Sequence, residues 1–218
     1  MKKDLTILIC VHSKTDLHDS LLLKSIESLE KQTYKNFDVL IVLDECWDKT
    51  KKLIIEENYN LNIKFLVREK KEGLAFAKNF ALGEIKTTWV GFLDADDLYL
   101  PEKLEKQMSY IDENYVDFLG TLAWNIQGLD ESNIFPSCFP EGMYVSHEDI
   151  KNTIFNQNIL THGSMLIKRE CLESLGGYQH KRGWEDWDLW QRAINKEYKF
   201  YQLQERLYIY RIGTSTIR

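Results

Sequence analysis

Through residues 5–93, short apolar runs alternate with longer stretches whose apolar positions recur at helical spacing. Leu5–Val11 is a nearly continuous apolar run, the pattern of a strand buried on both faces. Residues 17–32 come next, with Leu22, Ile26 and Leu29 on one helical face. Residues 37–43 predict a second buried strand, 48–58 a helix and 63–67 a third strand. The Ala-rich stretch 73–82 predicts another helix, and 88–93 a fourth strand. Four alternations of strand and helix predict an α/β domain: a mostly parallel sheet with right-handed crossovers and helices on both faces. Pro101 marks the opening of a further helix, and the C-terminal third reads as more irregular. In sheets of this kind ligands bind beyond the carboxyl ends of the strands, which selects residues 10–13, Asp44, Arg68 and 94–97.

The last of these groups holds the strongest chemical signal. Phe92-Leu93-Asp94-Ala95-Asp96-Asp97 runs an apolar strand straight into three carboxylates. Acids this close repel one another and resist burial. A hard divalent cation, Mn²⁺ or Mg²⁺, would relieve that repulsion and bridge the carboxylates to substrate phosphates. The competing reading is a solvated turn, since Asp favours turns and helix N-caps. Position at a strand's carboxyl end favours the metal, with Asp97 as a cap for the downstream segment. Asp44 closes the second strand, where its carboxylate can accept a ring N–H of uracil, thymine or guanine but not of cytosine. An ordinary strand-end Asp is the alternative there. No Gly-x-Gly-x-x-Gly or Walker A loop is present, so a bound phosphate would need metal and basic side chains.

A second signal lies at Gly183-Trp184-Glu185-Asp186-Trp187-Asp188-Leu189-Trp190. On a helix over 184–195, at about 100° per residue, the tryptophans and Leu189, Ala193 and Ile194 share one broad arc. Asp186 falls inside that arc, where lost hydration raises its pKa and suits it to act as a base. The alternative is a core Asp paired with an Arg or capping the helix. The tryptophans are expected mainly in the core, with one free to stack on a sugar ring. Glu185 and Asp188 are expected to be solvated or supporting. His162, in Thr161-His-Gly-Ser-Met165, is either a sugar contact or a satisfied histidine.

Composition sets the surroundings. A chain of 218 residues with net charge -6 suits one domain and offers no general attraction to nucleic acid. Cys10, Cys46, Cys138 and Cys171 are widely separated and expected to be free and mostly buried, which points to a reducing compartment, the cytoplasm. Lys2 and Lys3 before an apolar run resemble a secretory signal, but Asp4 interrupts it, the run is short and no small-residue cleavage site comes after it. No run approaches the roughly 20 apolar residues that cross a bilayer. Lys49, Lys51, Lys52, Lys70 and Lys71 read as solvated faces, although peripheral contact with the inner membrane surface stays open.

Taken in order, these pieces resemble a family 2 glycosyltransferase of the GT-A fold. Thr6-Ile-Leu-Ile-Cys-Val-His-Ser13 resembles that family's opening strand, and Ser28-Leu-Glu-Lys-Gln-Thr-Tyr34 its Ser-x-x-x-Gln-Thr-Tyr helix end. Val42-Leu-Asp-Glu-Cys-Trp-Asp48 stands where the family has Val-Asp-Asp-Gly-Ser-Thr-Asp, and Gly73-Leu-Ala-Phe-Ala-Lys-Asn79 where it has Gly-x-x-x-Ala-Arg-Asn. Asp94-Ala-Asp96 is similar to its Asp-x-Asp metal motif, and Gly176-Gly-Tyr178 with Glu185-Asp186 to its acceptor-side signature.

The resemblance implies a single GT-A domain over 1–218 with a Rossmann-like sheet, a nucleotide-sugar half near 1–97 and an acceptor half near 98–218. It implies that Cys10, His12 and Asp44 hold base and ribose, that Asp94 lies beside ribose and diphosphate, and that Asp96 binds the metal. Asp186 would be the catalytic base, with Glu185 and Trp184 lining the acceptor cleft. Arg211 and Ser215, in Tyr210-Arg-Ile-Gly-Thr-Ser215, resemble the tail that closes over the diphosphate. Lys78 replaces an Arg, and Gly213 replaces a His. The implied activity is metal-dependent, inverting, hexosyltransferase-type transfer from a nucleoside-diphosphate sugar, UDP-sugar favoured, to a glycan or lipid-linked hydroxyl. The lack of channel helices favours single additions in surface-glycan or polysaccharide biosynthesis over processive synthesis. A nucleotidyltransferase of similar fold and a non-catalytic nucleotide-sugar binding module are the alternatives.

Overall fold

The computed structural model of the chain describes residues 4–70, 72–181 and 183–213. Its first half has the predicted alternation: β1 (Leu5–Val11), α1 (Asp16–Glu30), β2 (Phe37–Asp44), α2 (Asp48–Glu56), β3 (Ile63–Arg68), α3 (Leu74–Leu82) and β4 (Trp89–Phe92). β1 pairs in parallel with both β2 and β4, and β2 with β3, so the carboxyl ends of all four point the same way. Side chains alternate between two apolar layers, as the period of a strand requires. Ile7 and Ile9 pack with α1 residues Leu22 and Ile26, while Leu8 packs with Val42, Ala77 and Trp190 on the other face. Gly91 leaves room for the side chains of its register partners on β1 and the neighbouring strand, since a Cβ there would lie 2.6 Å from Ile7 Cδ1.

The second half extends the sheet. After β5 (Leu98–Tyr99) and α4 (Lys103–Glu113) come β6 (Phe118–Gln127), β7 (Ile134–Pro136), α5 (His147–Thr153), a 3₁₀ turn at His162–Ser164, β8 (Leu166–Lys168), α6 (Arg169–Ser174), α7 (Glu185–Asn195) and β9 (Phe200–Ile212). Among the described residues they extend one sheet of nine strands in the order β3-β2-β1-β4-β8-β6-β9-β5, with β7 on β6. The extension is mixed: β8 runs antiparallel to β4 and β6, while β6 and β9 run parallel. The first four strands form an all-parallel core, and the β6–β9 pair adds a second parallel ladder.

A polar stripe on α1 ties this frame to the acidic loop. Ser25 Oγ donates to the Asp97 carbonyl at 2.7 Å, and Ser28 Oγ accepts from Tyr99 N at 3.1 Å. Gln32, fully buried, donates to the Leu100 carbonyl and accepts from Leu104 N. Ser25 and Ser28 share one helix face and Gln32 sits just past the end of α1, so α1 and its C-terminal turn hold the 97–104 backbone while its apolar stripe packs on the sheet. All four cysteines are free; Cys171 is buried, Cys10 and Cys46 half-buried, and Cys138 exposed, so burial is less general than expected. No helix among the described residues is long and apolar enough to cross a membrane.

Candidate active site

The strand ends and the start of α7 open onto one cleft of about 960 Å³, whose wall includes Lys78, Asp94, Asn158, His162, Glu185 and Asp186. Residues 92–97 do not act as a unit there. Asp94 reaches the cleft wall. Asp97 is buried and accepts from Tyr208 Oη and from Arg211 N, both at 2.6 Å. Burial, and then the charges of Asp94 and Asp96, push its pKa well above the ordinary carboxylate value. The expected helix cap is thus a bolt between the acidic loop and β9.

Arg211 also departs from its expected place. Only 3% exposed, it donates from Nε to the Asp96 carbonyl and from Nη1 to the Gly128 carbonyl, each at 2.8 Å, and its Nη2 lies 3.3 Å from Glu131 Oε1. Its strand neighbours Tyr210 and Ile212 line the cleft instead. Alternation along β9 sends Arg211 to the opposite face, so the guanidinium braces the acidic loop from behind. Ser215 lies outside the described residues.

The acidic loop fits a hard cation in its donor set. Arg211 takes the main-chain oxygen of Asp96, and the Asp96 side chain is buried beside two further acids, while Asp94 reaches the cleft wall. Among the described residues no cluster of three or more His, Cys, Asp or Glu forms a complete metal cage. Asp94 and Asp96 could supply two carboxylates, which suits an ion that completes its shell with phosphate oxygens and water.

Beside the cleft, at the ends of β1 and β2, lie Cys10, His12 and Asp44. Burial pushes the Cys10 thiol up to about 12, against the pull of Lys78 and with Asp94 and Asp44 adding to the rise. His12 Nδ1 lies 2.7 Å from the Asp44 carbonyl; that oxygen can only accept, so Nδ1 carries the proton. The Asp44 carboxylate lies 3.1 Å from Arg68 Nε, both side chains nearly buried. Arg68 pairs further with Glu72 at 2.5 Å and sits 5.5 Å from the Phe80 ring. Asp44 is therefore an oriented, charge-paired group and not a solvated turn residue.

Across the cleft, α7 begins at Glu185, with Trp184 as its N-cap. Trp184 is 58% exposed, 5.2 Å from the Trp187 ring, while Trp190 is fully buried and Trp187 partly so. The tryptophans thus grade from core to rim along one helix face. Glu185, expected to be solvated or supporting, is largely buried with its Oε1 3.8 Å from Lys78 Nζ. Lys78, itself 5% exposed at the side chain, also lies 4.8 Å from the Tyr178 ring. Asp188 takes the supporting role through Arg192 at 2.7 Å, whose other nitrogens donate to the Leu175 and Gly177 carbonyls.

Asp186 accepts from Trp187 N at 2.7 Å and from Asn158 Nδ2 at 3.1 Å. Burial raises its pKa; Lys78 and these two donors pull against that rise, and Glu185 adds to it. His162 is buried, its Nε2 2.9 Å from Tyr178 Oη and its ring 4.5 Å from Phe92, and it forms part of the cleft wall. Asn79, Asn158 and Tyr178 take part in these contacts although the sequence pattern assigns them no role. Asn79 and Tyr178 stand inside recognisable motifs, but Asn158 has no local signal.

Comparison with known proteins bears on the family and the fold. A family model described as Glycosyl transferase family 2 matches residues 6–176. An uncharacterized glycosyltransferase of Methanocaldococcus jannaschii is 34% identical over 195 residues, covering 88% of this chain and 66% of that protein. The O-antigen biosynthesis glycosyltransferase WbnJ of Escherichia coli is 28% identical over 212 residues, covering 95% and 79%. Among solved structures, S. aureus TarS 1–349 in complex with UDP-GlcNAc superposes with a TM-score of 0.77 at 18% identity, covering 98% of this chain and 60% of that one. The chain therefore spans about two thirds of the first relative's length and less of the structure's.

Proposed function

The chain belongs to glycosyl transferase family 2, and we propose that it transfers a sugar from a nucleoside-diphosphate donor, a UDP-sugar by preference, to a hydroxyl of a glycan or lipid-linked acceptor, with inversion. One observation carries this reading. Asp186, a buried carboxylate held by two donors, faces the same cleft as Asp94 at the strand end, with Lys78 between the halves.

Asp186 takes the proton from the acceptor hydroxyl as that oxygen attacks the anomeric carbon opposite the leaving diphosphate. A single displacement inverts the carbon. General base assistance of this kind contributes about 10²–10⁴-fold. Lys78 favours the ionised form of Asp186, its positive charge opposing the rise in pKa that burial causes. Trp184 offers an exposed apolar ring at the rim for the face of an acceptor sugar. Asp44, oriented by Arg68, accepts the ring N–H of uracil. Asp94 and Asp96 would hold a divalent cation, Mn²⁺ or Mg²⁺, which when bound neutralises charge growing on the departing diphosphate. The UDP-GlcNAc bound by TarS supports a UDP-sugar, and the O-antigen biosynthesis of WbnJ supports a surface-glycan acceptor. Four free cysteines support a cytoplasmic setting, from which a lipid-linked acceptor at the inner membrane surface is reachable.

Incubation with Mn²⁺ and a panel of UDP-, GDP- and dTDP-sugars tests the proposal. Release of nucleoside diphosphate with UDP-sugars is the expected result. Pyrophosphate would instead support nucleotidyl transfer, and binding without turnover a non-catalytic module.

A further inference from the structure

We propose that Asn158 is a positioning residue for Asp186: its amide fixes one carboxylate oxygen and thereby sets both the orientation and the proton affinity of the base. This rests on the reading of Asp186 as that base. Asn158 Nδ2 donates to Asp186 Oδ2 at 3.1 Å, while Trp187 N donates to Oδ1 at 2.7 Å. Each oxygen thus has one donor and keeps lone-pair capacity for a substrate hydroxyl.

Two further facts single out the amide. Asn158 Oδ1 is buried with no hydrogen-bond partner among the described residues. A shape-matched apolar side chain would avoid that unsatisfied carbonyl, so the Nδ2 contact is what the residue supplies. The amide cannot turn over to satisfy Oδ1, because that would press the carbonyl oxygen against the carboxylate. The segment is also tethered to α7 a second time, by Trp187 Nε1 donating to the Ile154 carbonyl, and Ile154, Ile159 and Leu160 anchor it in the apolar layer. The charged and titratable groups facing Asp186 are Lys78 from α3, Glu185 on its own helix and Tyr178 from the Gly-Gly-Tyr loop. Against that set, Asn158 is a neutral donor that favours the ionised base.

Carboxyl ¹³C NMR of the aspartate-labelled full chain, with Asp186 assigned by loss of its signal in Asp186→Asn, reads this directly and needs no substrate. In Asn158→Ala the Asp186 midpoint is expected to rise by about one pH unit. In Asn158→Asp, where a second carboxyl replaces the donor, the upper titration step of the pair should lie higher still. Native-like amide spectra in Asn158→Ala verify the fold. An unchanged Asp186 midpoint in a folded Asn158→Ala protein would overturn the proposal. Turnover of Asp186→Asn in the donor panel separately tests the base: near-native transfer there removes the catalytic reading while leaving the measured Asn158–Asp186 coupling in place.

Discussion

Asn79 and Tyr178 exchange two hydrogen bonds, Asn79 Nδ2 donating to the Tyr178 carbonyl and Tyr178 N donating to Asn79 Oδ1, each at 2.8 Å. One side chain on α3 thereby mimics a strand partner for the loop that leads into α7. The clamp fixes Tyr178 beside Lys78, and so sets the two halves of the cleft against each other. Gly177 makes room for it: its φ is +71°, and a Cβ there would lie 2.3 Å from Asn79 Oδ1.

Asn79→Ala should therefore leave the Tyr178 N–H and C=O without their partner. A loss of about 2–6 kcal/mol is expected, from two unsatisfied groups at roughly 1–3 kcal/mol each. Asn79→Asp keeps the acceptor and should lose less. Urea unfolding of both variants measures the difference; equal, negligible losses would contradict the clamp.

Asp186→Asn is expected to lower kcat by about 10²–10⁴-fold in a folded protein. Because burial raises the Asp186 pKa, the acid limb of the kcat/KM profile should lie above the ordinary carboxylate value. The same shift fixes the pH dependence of stability. A raised pKa means the folded state holds the proton more tightly, so its contribution falls as pH rises from the ordinary carboxylate value to the raised one. Native protein should show that slope and Asp186→Asn should lack it, as thermal unfolding across the window will measure.

Tyr208→Phe removes the hydroxyl that donates to Asp97. The Asp97 pKa is already raised by burial and by its acidic neighbours, and loss of this donor raises it further. The ionised form bears the cost, so the variant should lose about 1–3 kcal/mol, with more lost above the raised Asp97 pKa than below it. A pH-independent loss would place the effect in packing alone.

Arg211→Lys tests the bracing role against a diphosphate contact. Lysine lacks the planar fork that serves Asp96, Gly128 and Glu131 together. Stability should fall by about 2–4 kcal/mol, while donor affinity in the folded fraction stays within about twofold, under about 0.4 kcal/mol. Isothermal titration with UDP alongside urea unfolding separates the two.

Chelation tests the acidic loop. Excess EDTA is expected to reduce transfer by on the order of tenfold or more, since a Lewis acid supplies several kcal/mol of charge stabilisation. Mn²⁺ should restore it in native protein but much less in Asp96→Asn. Undiminished turnover in EDTA would remove the metal from the mechanism.

By itself the sequence determined the first four strands, because parallel strands buried on both faces must be written as continuous apolar runs, and β1 matches its predicted limits. It also singled out Asp94 and Asp186 as candidates, although a solvated turn and a capping or paired core Asp stood beside them as alternatives, and only the fold puts both on one cleft wall. The structure alone decided what depends on distant pairing. β6 and β9 meet across more than seventy residues, and no local period announces that they complete the sheet. Their pairing fixes which face of β9 meets the cleft, and so gives Tyr210 and Ile212 to the site and Arg211 to its support. Asn158 shows the same limit at a single residue: an amide in a loop has no meaning until the fold brings a carboxylate to within 3.1 Å of it.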